Sequence, residues 1–336
     1  MFRVEGMKIL EENRVVRESL SNRTRKLALF GWLTLIGATG ACVTGTIHGN
    51  YASAEEAVAD KDWPLAVDLW YEIHESENPK SERSYVETAR ALYKNGDAES
   101  ACSLLHQGRF DYPESSEIVR TLGRIQESQG FRRAAEQNFE AWAELEPDNP
   151  WAHIALGRMR LCLGWEHGAK EPLLRALEMD HENHAVHALL AKLHRACGDD
   201  DMAFRHFTLA VDFGAKDPYL LLDASLTAME LGPTEADPEI ALAWAITVSE
   251  QQPQNTCAHF LRGVHLQALD RKQEAIGAFA RAVETDPGCL EGLTRLAKLY
   301  SEAGQVDRIL DLVTRALEIE DDPDNRERLL ILMKPQ

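Results

Sequence analysis

An alanine returns on a fixed beat along this chain and limits its fold to a row of similar units. Ala66, Ala101, Ala135, Ala169, Ala203, Ala241 and Ala275 are spaced 35, 34, 34, 34, 38 and 34 residues apart. Repeats of roughly 20–50 residues mark solenoids, in which each unit packs only on its neighbours.

Other positions keep the same step. Counting each unit from 19 residues before its alanine, and the first helix of the sixth, with its longer step, from residue 216, the eighth position reads Ala54, Ala89, Gly123, Gly157, Ala191, Asp223, Gly263 and Ala297. The seventh carries Leu122, Leu156, Leu190, Leu222 and Leu296. The twenty-fourth carries Trp70, Leu105, Phe139, Leu173, Phe207, Ala245, Phe279 and Val313. Small residues at positions eight and twenty let two helix backbones approach, and large apolar ones beside them fill the seam. Gly96, Gly130, Gly164, Gly198 and Gly304 stand where a first helix should end, because glycine accepts the left-handed backbone of a helix stop. Pro113, Pro147, Pro253 and Pro287 punctuate the end of the second helix.

The segments GRIQESQGFRRAAEQNFEAWAELEPDN (123–149) and LAKLYSEAGQVDRILDLVTRALEIEDD (296–322) resemble the tetratricopeptide repeat (TPR) consensus, the second with Ile309 in place of the alanine. The resemblance extends over residues 47–323. It implies an all-α fold: a TPR superhelical solenoid of about eight helix-turn-helix repeats, starting near residues 47, 82, 116, 150, 184, 216, 256 and 290. Residues 324–336 read as a capping helix, which a terminal repeat needs because it has no further neighbour. The 38-residue step falls at LGPTEADPEI (231–240), where four extra residues and two prolines predict a longer loop inside the sixth repeat. The first repeat is degenerate, with Ser53 and Ala57 at positions seven and eleven.

Residues 27–47, LALFGWLTLIGATGACVTGTI, contain no charge. As a helix they would span roughly 31 Å, close to a ~30 Å hydrocarbon core, and are read as a transmembrane or signal-anchor helix. Residues 1–26 carry seven Lys/Arg, with Arg23, Arg25 and Lys26 at the border, whereas the twenty residues after the run hold only Lys61. The positive-inside rule then keeps the basic N-terminal segment cytoplasmic and carries the repeats across the membrane, into the periplasm of a bacterium. Two rival readings stay open: a signal peptide cleaved at Thr39-Gly40-Ala41, and lipidation of Cys42 within a partial lipobox.

Residues 1–46 hold seven basic and four acidic residues, so the rest of the chain carries 29 basic against 51 acidic, a net of −22. Nucleic acid is thereby disfavoured as a partner, since binding it needs a basic footprint. Cys42, Cys102, Cys162, Cys197, Cys257 and Cys289 form no close pair, so no structural zinc site is expected. Cys162 and Cys197 occupy nearly equivalent places in neighbouring repeats, roughly 10 Å apart and too far for a bridge, so buried free thiols are expected.

No Gly-rich phosphate loop, GxSxG or HExxH motif occurs, and no catalytic residue or cofactor is expected. The best metal candidate is the group His181, His184, His187 and His194, but no carboxylate or cysteine completes a ligand set and packed histidines are expected. The sharper constellation is basic. The TPR resemblance implies that first helices line a concave groove. There the ninth position reads Arg90, Arg124, Arg158 and Lys192. Arg83, Lys94, Arg120 and Arg195 fall on neighbouring groove positions, and Trp151, Ile154 and Leu161 interleave. Glu87 stands three residues from Arg90 and Glu127 three from Arg124, whereas Arg158 and Lys192 lack a carboxylate one turn away and are expected to be free. Leu220, Ala224, Phe260 and Val264 make the groove apolar further along. A basic stretch followed by an apolar one suits a peptide with acidic and hydrophobic residues.

The expectation is a membrane-anchored TPR scaffold that holds a protein partner and catalyses nothing. It is similar to the single-span or lipid-anchored TPR factors of envelope assembly, secretion or maturation. A self-associating structural protein and a metal- or thiol-dependent enzyme are the alternatives.

Overall fold

The structure, a computed structural model, describes residues 43–332. Seventeen helices and no strand occur among the described residues. They run in pairs: α1 (Val43–Ala59) and α2 (Trp63–Ser76), α3 (Glu82–Lys94) and α4 (Ala98–Asp111), α5 (Ser116–Ser128) and α6 (Arg132–Leu145). Then come α7 (Pro150–Cys162) and α8 (Glu166–Met179), α9 (His184–Ala196) and α10 (Asp200–Asp212), α11 (Pro218–Leu231) and α12 (Pro238–Gln251). The pairs α13 (Thr256–Ala268) with α14 (Lys272–Thr285) and α15 (Leu290–Glu302) with α16 (Val306–Ile319) precede a last helix, α17 (Pro323–Leu332). The chain divides between Ala52 and Ser53 into two compact units. Of the first, only the opening residues of α1 are described; the second holds α2–α17 and forms an all-α solenoid.

From α2 onward each helix packs on its sequence neighbours, and the first helices of successive pairs touch at α3–α5, α7–α9 and α11–α13. The positions that carry the beat are the core. Ala66, Ala101, Ala135, Ala169, Ala203, Ala241 and Ala275 are fully buried, as are Trp70, Leu105, Phe139, Leu173, Phe207 and Phe279. The small residues of the first helix make room for these large ones. A Cβ on Gly263 would lie 2.6 Å from the Phe279 ring, and one on Gly157 2.6 Å from Leu173. Gly263→Ala therefore forces the ring aside and is expected to cost about 1–3 kcal/mol, read as a lower urea midpoint. An unchanged midpoint would contradict the close approach.

Turns and caps follow local chemistry. Gly96, Gly130, Gly164, Gly198 and Gly304 all have φ between +70° and +92°, which ends each first helix within a three-residue turn. Ser81, Asp97, Ser115, Asn183 and Asp199 each accept a hydrogen bond from the backbone of the helix they precede.

In the sixth pair the expected register shifts. Asp217 caps α11, and Ser225, eight residues on, occupies the small position, its Oγ 3.4 Å from the Ala241 carbonyl. Asp223, expected there, instead lies 3.6 Å from Arg195. The helix starts at Pro218, so the step from Ala191 to Ser225 keeps the beat and the extra residues fall in the loop 232–237.

The uncharged run at 27–47 lies outside the described residues except for 43–47, and Cys42 lies outside them too. Among the described residues no helix is long and apolar enough to cross a membrane. Cys102, Cys162, Cys197, Cys257 and Cys289 are free thiols, but Cys162, Cys197 and Cys257 are exposed, not buried as expected.

Candidate functional site

Position nine places Arg90, Arg124, Arg158 and Lys192 on α3, α5, α7 and α9, one per first helix. Their carboxylate partners come mostly from the neighbouring repeat. Arg158 grips Glu127 of α5 with two hydrogen bonds, 2.5 and 3.0 Å long. Arg90 bonds Glu87 at 2.7 Å and also Glu117 of α5. Arg120 lies 2.5 Å from the same Glu117. Burial raises the pKa of Glu117, but Arg120 and Arg90 outweigh it and hold the carboxyl below its usual range. Arg195 sits between Asp223 at 3.6 Å and Glu230 at 3.4 Å.

Two sequence expectations are reversed here. Arg158, expected to be free, is neutralised. Arg124, expected to pair with Glu127, makes no hydrogen bond or ion pair among the described residues, because Glu127 turns to Arg158. Lys192 is unpaired as expected.

Arg124, Arg158 and Lys192 come together with Trp151 around a cavity of about 440 Å³. Its apolar floor is Ile154, Ala155, Ala188, Leu189 and Leu220, with Phe139 and Trp142 reaching it from α6. Trp151 remains 55% exposed at the wall. Sequence reasoning missed Lys216, which lines the cavity from the linker before α11 and has no partner among the described residues. The adjacent Asp217 is occupied in capping α11, its Oδ1 accepting from the Tyr219 N–H at 3.4 Å. A hollow of this size with an apolar floor and three unpaired cations can bury an apolar side chain while meeting carboxylates at its rim.

The other candidates lie elsewhere. Arg83 pairs with Glu55 and stands 5.7 Å over the Trp70 ring. Lys94 is exposed beside the Tyr93 ring. Arg90, Arg120 and Arg195 do not line the cavity. Phe260 is no groove contact: it is buried against Phe279, ring centroids 5.8 Å apart, and Arg295 covers it at 5.7 Å.

The histidines are used in packing. His153, His187 and His259 take the same place in their first helices. Each Nε2 meets a carbonyl six residues earlier, at Pro147, His181 and Pro253, over 2.8, 3.0 and 2.9 Å. A carbonyl only accepts, so each ring carries its proton on Nε2. The Nδ1 of His187 must then accept from His206 Nδ1–H, 3.0 Å away. Burial, then His187 and His194, push the His206 pKa down to about 4. His194 bonds Asp199 at 3.2 Å, and His184 lines the cavity. Among the described residues no three potential ligands are placed to hold a metal.

Residues 293–327 match the tetratricopeptide repeat family model. Among solved structures, a tetratricopeptide repeat protein from Parabacteroides merdae is 16% identical, with 72% of this chain and 94% of that one covered and a TM-score of 0.55. PilF of Pseudomonas aeruginosa is 14% identical, covering 63% and 94%, with a TM-score of 0.54. These likenesses show the fold, that of a TPR solenoid. Human protein O-mannosyl-transferase TMTC3 is 23% identical over 214 residues, 63% of this chain. The chain spans only 23% of that relative's length.

Proposed function

We propose that this array of tetratricopeptide repeats is a membrane-anchored scaffold whose groove binds acidic, apolar-rich peptide segments of a partner protein. One observation carries the reading. Arg124, Lys192 and Lys216 stay unpaired around an apolar cavity, while Arg90, Arg158 and Arg195 are neutralised by cross-repeat carboxylates. The chain as a whole has a net charge of −19, so cations left together at one hollow favour anionic ligands locally and give selectivity. Burial of an apolar side chain supplies affinity. The reading contains no reaction step.

The test uses a fluorescein-labelled peptide rich in Glu and Leu, titrated with the full chain. Arg124→Glu combined with Lys192→Glu is expected to weaken binding about 100-fold, since each reversed contact is worth about 1.4 kcal/mol. Arg90→Glu with Arg195→Glu, outside the cavity, leaves affinity within about twofold. Equal losses in both double variants would show that bulk charge, not this site, recruits the peptide.

The uncharged run behind Arg23, Arg25 and Lys26 supports an anchor that holds the array on the outer side of a bacterial cytoplasmic membrane. Alkaline phosphatase fused after Gln336 is then expected to be active in bacterial cells. An inactive fusion of normal abundance would remove this part of the proposal.

A further inference from the structure

The position-nine row alternates between satisfied and unsatisfied charge. Arg90 and Arg158 are neutralised; Arg124 and Lys192 are not. The free cations of the row thus stand two repeats apart, with the Arg158–Glu127 pair between them. α7 and α9 touch, and α5 is tied to α7 by the two Arg158–Glu127 hydrogen bonds. Packed helix axes lie about 8–10 Å apart, so two steps carry a ligand about 20 Å. An extended peptide advances about 3.3 Å per residue and covers that distance in about six residues. A helical ligand, rising about 1.5 Å per residue, would need about thirteen. Between the charges, on α7, stand the exposed face of Trp151 and Ile154 of the floor, which Leu189 and Leu220 continue. Lys216 reinforces the Lys192 end.

Resting on the groove reading above, we infer that the ligand is an extended peptide with two carboxylates about six residues apart and a bulky apolar side chain between them. One carboxylate meets Arg124. The other meets Lys192 and Lys216, and the apolar side chain enters the hollow beside Trp151. Opposite reading directions remain equivalent for this pattern, since both ends carry the same charge. Spacing is therefore the property the site selects.

Three fluorescein-labelled peptides of one composition test it, each with a single central Phe and two Glu placed about three, six or thirteen residues apart. They are titrated with the full chain by fluorescence anisotropy. The six-residue spacing is expected to bind about tenfold more tightly than either of the others, and Arg124→Glu or Lys192→Glu alone to erase that advantage. Equal affinity for all three peptides, or a preference for another spacing, overturns the inference and leaves the groove reading standing. If none of the three binds, the groove reading falls and this inference with it.

Discussion

Replacing Phe279 by alanine is expected to remove about 3–5 kcal/mol of stability. Its side chain is fully buried, and the residue facing it is Gly263, which has no side chain to move into the space. Phe260 packs against one side, and Leu293 and Leu296 of the next repeat belong to the same cluster. The void therefore stays open and loosens the seventh unit together with its attachment to the eighth. Because a solenoid is held by neighbour contacts, the loss is expected to be local first. Hydrogen exchange should accelerate in α13–α16 before α5–α9, and the urea midpoint should fall. An unchanged midpoint with uniform protection would contradict the packing. Phe110, 87% exposed, is the control: its alanine variant is expected to stay within about 0.5 kcal/mol.

Acidification between pH 6.5 and 5 is the second large effect. Burial lowers the pKa of His74, His206 and His265 from 6.5 to about 4. Each must fold neutral. Below pH 6.5 the unfolded chain binds a proton that the folded chain refuses, so stability is complete above that value and is lost as pH falls toward 4. Each site contributes roughly 3 kcal/mol over the whole window. Geometry agrees for His74: Ser84 Oγ donates to the Ser81 carbonyl and so can only accept from His74 Nδ1, leaving Nε2 buried without a partner. The carboxyl of Glu117, held low by its arginines, adds a loss of the same sign only at more acid pH. The expected result is a urea midpoint that drops steeply from pH 7 to 5, with about a third of the drop removed in His265→Gln. A flat profile over that range would overturn the assignment.

The fold was legible because its determinants recur in sequence. Gly157 with Leu173 and Gly263 with Phe279 are the same contact twice, and the repeat period brings it forward without knowledge of structure. The site was legible only in part. Trp151, Arg158, Lys192 and Arg124 do surround one cavity. Their charge state was not readable one turn along a helix, because the groove sets each residue beside the neighbouring repeat. Arg158 and Glu127 are 31 residues apart, and Arg90 and Glu117 are 27 apart. Comparing position nine with position twelve of the preceding repeat would have found the Arg158 pair. Lys216 had no such signal, since it lies in a linker whose register the sixth repeat disguises. Phe260 failed for a different reason: Arg295, from the next first helix, covers the face that a groove residue would expose.

The imidazole that reaches back to a carbonyl six residues earlier is a strut across the joint between two repeats. It is present where α7, α9 and α13 begin. At the start of α11 the corresponding residue is Leu221, which has no polar atom to offer. That joint is the linker carrying Ala215, Lys216 and Asp217, which is also one lip of the cavity. Of the three joints whose residues line the cavity, those entering α7 and α9 carry the strut and this one does not. The mouth of the hollow is therefore expected to give first on the Lys216 side, read as faster hydrogen exchange at 213–217 than at 146–150.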